Sequence, residues 1–107
     1  MKTLDINVKT WRDKMYGNTY FAGTFVTNYG TETEKTYLIP FQYGYGEQCL
    51  EEVKKLCTEF NIISLPYYES LRNFCKSNDI IFRFNMHENC KKSDLKKIVT
   101  DYNNQFN

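Results

Sequence analysis

The hydrophobic period of this chain first changes across Gly44-Tyr45-Gly46-Glu47, and that change constrains most of what it can fold into. Ahead of it, Leu4, Ile6 and Val8 alternate with Asp5, Asn7 and Lys9, the period of a half-buried strand. Behind it, Cys49, Leu50, Val53, Leu56, Cys57 and Phe60 recur at helical spacing, with Glu51, Glu52, Lys54 and Lys55 on the opposite side. A strand-rich first half therefore hands over to a helix-rich second half. At 107 residues the two must share one modest core, so residues 1–107 are expected to form one domain.

Within the first half, Gly17-Asn18 marks a turn, Thr19 to Tyr29 is rich in β-branched and aromatic residues, and GTETE marks a second turn before KTYLIPF. Short connections of this kind predict a three-stranded antiparallel meander. Pairing Arg12 with Thr19 sets Ile6 opposite Phe25, Val8 opposite Gly23 and Thr10 opposite Phe21. Pairing Tyr29 with Lys35 sets Phe25 beside Ile39, Gly23 beside Phe41 and Phe21 beside Tyr43. One face is then consistently apolar. Gly23, on that face, is expected to leave room for a helix.

Asn61 is expected to end the first helix. Ser64-Leu65-Pro66 then opens a second, with Leu71, Phe74 and Cys75 inward. Ile80 to His87 alternates as a fourth strand. Ser93 is expected to cap a last helix whose Leu95, Ile98, Val99, Tyr102 and Phe106 form an apolar stripe. The expected order is β-β-β-α-α-β-α, an α+β fold with its helices on one face of an antiparallel sheet.

Composition removes several function classes. The 14 Lys plus Arg nearly balance the 13 Asp plus Glu, which argues against a strongly cationic nucleic-acid binder. Asp5 and Lys9 interrupt the opening segment where a secretory signal needs an apolar run, and no window reaches the length of a membrane span. The expectation is a soluble, cytoplasmic protein with no membrane partner. None of Cys49, Cys57, Cys75 and Cys90 makes a Cys-x-x-Cys pair, His87 is the lone histidine, and three of the four cysteines fall on apolar faces. They are expected as core thiols, with no metal and no cofactor; a zinc site is the remote alternative.

The glycine turn itself resembles a phosphate loop only superficially. Cys49 stands where a dinucleotide fingerprint has its third glycine, and Glu47 places a carboxylate where a phosphate would sit. The turn is expected to redirect the chain. His87 and Cys90 could supply a base and a nucleophile, but no third orienting group accompanies them. No catalytic residues are expected.

Two surfaces remain. Lys91, Lys92, Lys96 and Lys97 crowd the start of the last helix and Arg83 precedes it, a candidate anion-binding group. Opposite the apolar face, the register sets Trp11 beside Tyr20 and Val26 beside Leu38, with Tyr16, Tyr43 and Tyr45 on neighbouring loops. Aromatics make up 17% of the chain, more than a core of this size absorbs, so some rings should be exposed as a protein-binding face.

The pattern TW-x-D-x-x-x-GN-x-YF (Thr10 to Phe21), followed by PFQYGYG (Pro40 to Gly46), resembles small proteins encoded by bacteriophages and prophages, a group without an assigned activity. The resemblance covers roughly the first half of the chain. It implies a phage product made inside a bacterial host cell, where small non-enzymatic proteins often act by binding and inhibiting a host or defence protein. The expected function is accordingly a non-enzymatic binding protein, anti-defence in character, whose partner is a host or defence protein or a second copy of the chain in a homodimer. The alternative is a nucleic-acid or nucleotide-binding domain using the surface aromatics and the lysines of the last helix.

Overall fold

β1 (Thr3–Arg12), β2 (Thr19–Thr27) and β3 (Lys35–Tyr43) form the antiparallel meander, followed by α1 (Gln48–Glu59), α2 (Leu71–Ser77), β4 (Ile81–His87) and α3 (Lys92–Phe106). The computed structural model describes residues 1–106. The fold is α+β, with one mixed sheet ordered β3-β2-β1-β4.

The β1–β2 register is the one the alternation predicts, with Ile6 opposite Phe25, Val8 opposite Gly23 and Arg12 opposite Thr19. The β2–β3 register is displaced by two residues from the expected one: Thr27, not Tyr29, faces Lys35, so Phe25 lies opposite Tyr37 and Gly23 opposite Ile39. A shift of two preserves the faces, and the apolar pattern cannot detect it. A bulge then changes them. Between the Gly23–Ile39 and Phe21–Gln42 pairs, β3 carries Pro40 and Phe41 against the single Ala22 of β2. Pro40 has no N–H to give the ladder, which makes it a natural place for the extra residue. Beyond the bulge the alternation of β3 is inverted, and Phe41 and Tyr43 join the face of Trp11 and Tyr20 instead of the core face.

β4 pairs with β1 in parallel, from Thr3–Ile81 to Lys9–His87. The expectation of an all-antiparallel sheet is corrected here. The chain leaves β3 at one edge, crosses the sheet through α1 and α2, and enters β4 at the other edge running the same way; parallel strands need a crossover of this length. Leu4, Ile6, Val8, Phe21, Phe25 and Ile39 pack with Cys49, Leu50, Val53, Leu56 and Cys57 of α1 and Leu71 and Cys75 of α2 in one core. Tyr37, Phe74, Phe82, Phe84 and Met86 pack around it. Arg72 of α2 lies over the rings of Phe82 and Phe84, 5.2 and 5.7 Å from their centroids, and pairs with Glu47 at 2.9 Å.

Helix ends follow local chemistry. Asn61, at φ 55°, ends α1 with Ile62 N–H donating to Cys57 O and Asn61 N–H to Thr58 O, a six-to-one and five-to-two closure. α2 begins at Leu71 and not near Pro66. The Ser70 hydroxyl accepts from Asn73 N–H at 3.1 Å, whereas Pro66 to Glu69 forms only a turn. Ser93 does not cap α3. It lies inside the first turn, and the Asp94 carboxylate accepts the N–H of Lys91 at 2.8 Å.

α3 lies on the second face of the sheet, so the helices are not confined to one side. At its start Lys92 Nζ stands 5.4 Å from the Trp11 ring on β1, and near its end the Tyr102 hydroxyl donates to Thr36 O on β3. The helix therefore crosses the strands diagonally over a length of about 22 Å. Ala22 and Leu95 are completely buried yet lie outside the α1–α2 core, as expected of a second apolar layer beneath α3. The molecule has three layers, α1/α2, sheet and α3.

Candidate functional site

A diagonal helix leaves two corners of the face beneath it uncovered. At the corner between β1 and β4, Arg83 makes a two-pronged hydrogen bond to Asp5 and Asn85 donates to Asn7. Its hydrogen bond to Asp5, and then the Asp5 charge, raise the Arg83 pKa above the usual guanidinium value. Arg83 is engaged there and does not join the lysines of α3.

The other corner is aromatic. Trp11 stacks on Tyr20 with ring centroids 5.3 Å apart, Tyr20 stacks on Phe41 at 5.5 Å, and Tyr43 meets Tyr20 edge-on at 5.8 Å. Trp11 on β1 and Phe41 on β3 flank Tyr20 on β2, so both faces of Tyr20 are occupied. Trp11 likewise has Tyr20 on one face and Lys92 on the other. The result is a row, Lys92–Trp11–Tyr20–Phe41, in which each group packs on the next. Offset and edge-on packing of this kind contributes about 0.5–1.5 kcal/mol per pair beyond burial.

Three loops meet at the same end of the sheet: Asp13–Asn18 after β1, Gly44–Glu47 after β3, and Glu88–Lys91 after β4. They carry exposed rings, with Tyr16 74% exposed, Tyr45 64%, and Tyr43 at the strand end 57%, together with exposed Met15. Of the residues expected to form a protein-binding face, Trp11, Tyr20 and Tyr43 come together in the row, and Tyr16 lies on the hairpin loop at the same end, whereas Tyr45 lines a separate depression with Thr10, Arg12, Thr19 and Met86. Val26 and Leu38 join neither group. They are half-buried on the strands that α3 crosses, and they face Thr36 and Thr24, not each other. Phe41 belongs to the row and was placed by its period on the core face; Pro40 within a strand is the signal that could have reversed that assignment.

The glycine turn redirects the chain. Gly46 has φ +59°, and a Cβ on Gly44 would lie 2.5 Å from Cε2 of Phe21. The Gln48 side-chain oxygen accepts Tyr45 N–H at 2.8 Å, and Glu47 is held by Arg72 at the start of α1. The Cys90 thiol donates to the backbone carbonyl of His87 at 3.3 Å, so the geometry sets up no thiol–imidazole pair. Burial pushes the thiols of Cys49 and Cys75 up from their ordinary value, and burial with the neighbouring Cys75 pushes Cys57 up to about 12. Among the described residues, no three of His, Cys, Asp or Glu gather in a metal-holding group, and no helix is long and apolar enough to cross a membrane.

Lys91 and Lys92 stand at the rim beside Trp11, whereas Lys96 and Lys97 lie further along α3. Set against family models, curated proteins and solved structures, the chain matches none of them.

Proposed function

We propose that the protein is a non-enzymatic binding module that contacts another protein chain through its aromatic corner, centred on Tyr20, Phe41 and Tyr43, with Met15 and Tyr16 exposed on the hairpin loop at the same end. One observation carries this reading: the diagonal of α3 covers the apolar middle of the second face and leaves its most aromatic corner outside. Tyr and Trp with a polar surround are the composition of interface hot spots. Base stacking needs free ring faces, and those of Trp11 and Tyr20 are already engaged, so the arrangement favours a protein partner over a single-stranded nucleic acid. In the phage setting that the sequence resembles, the partner is a host or defence protein in the bacterial cytoplasm, and the protein acts as its inhibitor.

The test is native mass spectrometry of the protein purified from a bacterial host, in parallel with Tyr16→Ala/Tyr43→Ala. The expected outcome is a wild-type complex with a second polypeptide that disappears in the variant, while stability changes by only about 1 kcal/mol. A complex that survives both substitutions, or a wild-type protein found only as a free monomer, would overturn the reading.

A further inference from the structure

A cleft of about 810 Å³ opens beside the aromatic row, between the tip of the β1–β2 hairpin and the start of α3. Its walls are Trp11, Arg12, Asp13, Lys14 and Met15 on one side and Asn89, Cys90, Lys91 and Lys92 on the other. The volume is within the range of small-molecule sites. Backbone hydrogen bonds join the two walls and shape the hairpin wall. Cys90 N–H donates to Thr10 O at 2.9 Å and ties the β4–α3 loop to the end of β1. At the hairpin tip, Asp13 N–H donates to Asn18 O and Gly17 N–H to Asp13 O, both at 2.7 Å.

The cleft carries an excess of positive charge, four cations against the single carboxylate of Asp13. Arg12, Lys14, Lys91 and Lys92 line it, in a chain whose net charge is only +1. Among the described residues the ion pairs are made by Lys55, Arg72 and Arg83, and by none of these four cations. Asp13 accepts Met15 N–H at 2.9 Å and Asp94 accepts Lys91 N–H at 2.8 Å, so both carboxylates are oriented by backbone and neither forms an ion pair with the four cations. Asp13 offsets only one of the four positive charges, and a multivalent anion relieves the remaining repulsion where a monovalent one does so only in part. Arginine supplies a planar fork and the lysines mobile ammonium groups, the donor set that suits phosphate oxygens.

We propose that this cleft binds a compact ligand carrying two or more phosphate charges, with Arg12 and Lys91 as its principal contacts and Lys14 and Lys92 completing the field. The ligand rests against the Trp11 edge and does not stack on its face, which Lys92 and Tyr20 already fill. The proposal does not depend on the protein-binding corner, and Arg12 and Lys91 lie outside that corner's rings.

Inorganic pyrophosphate titrated into the full chain at low salt, followed by calorimetry, provides the test. One-to-one binding is expected, with Arg12→Ala and Lys91→Ala each weakening it about tenfold, the effect of losing one charge-assisted hydrogen bond. Lys96→Ala/Lys97→Ala removes two charges outside the cleft and should change the affinity less than threefold. Equal weakening by both sets would reduce the effect to general charge and overturn the site, as would no saturable binding. Tighter binding of an oligonucleotide, lost equally in both sets, would also overturn it in favour of a diffuse polyanion surface.

Discussion

Gly23 is the residue whose replacement should cost most for its size. A Cβ there would meet not a helix but the neighbouring strand, falling 2.9 Å from Val8 Cα and well inside contact with the Asn7 carbonyl oxygen. Backbone in the middle of a sheet cannot yield as a side chain can. Gly23→Ala should therefore destabilise the protein by about 1–3 kcal/mol in urea unfolding. Sequence marked Gly23 as a point of close approach but named the wrong neighbour, because the period reports a face and not what stands beside it. Cys57 supports a second prediction. Its thiol holds its proton more tightly folded than unfolded, so between about pH 9 and 12 the unfolded chain binds fewer protons and stability falls as pH rises. Below pH 9 that contribution is fully present. The melting temperature should decline more steeply across this window in the wild type than in Cys57→Ala.

Among the elements, α3 shows how a helix start can be misread and still form. Ser93 looks like a cap because serine precedes an apolar stripe, yet the chain begins the helix earlier and uses Asp94 to reach back to Lys91. Asp94→Ala should cost about 0.5–2 kcal/mol in chemical denaturation and Ser93→Ala almost nothing; the reverse order would restore serine as the cap. The apolar stripe of α3 was legible because a period of 3.6 needs only its own residues. Which face of the sheet it would cover was not, since alternating strands with residues such as Ala22 and Val26 on the outer side give either face something to bury. The bulge at Pro40 had the same character: one extra residue reverses every side chain beyond it, and it moved Phe41 from the expected core face into the aromatic corner beside Tyr43.

For the whole molecule, the element order and the strand-to-helix change were legible from period alone, whereas the parallel docking of β4 was not. Phe82, Phe84 and Met86 satisfy the core in either direction; the crossover through α1 and α2 decides it. The basic cleft was equally hidden, because Arg12 and Lys14 come within reach of Lys91 and Lys92 only when β4 lies beside β1. Three layers also predict a clear response to truncation. Ending the chain at Lys91 removes α3 and bares Ala22 and the strand surface that the helix crosses, so the shortened protein should bind a hydrophobic dye and lose its cooperative melt. Retention of a sharp transition would show that α1, α2 and the sheet form a sufficient core without it.

The place of β1 in the order β3-β2-β1-β4 carries a consequence for synthesis. β1 ends in the interior of the sheet, yet its fourth-strand partner leaves the ribosome more than 70 residues later, and α3 follows only after that. During that interval the strand carrying Leu4, Ile6 and Val8 is an open edge, and the face destined for α3 is wet. At translation rates of about 5–20 residues per second the exposure lasts several seconds, long enough for a neighbouring nascent chain to pair with that edge. Asp5 and Lys9, charged and facing outward along that strand, are then its guard before they are part of any finished surface.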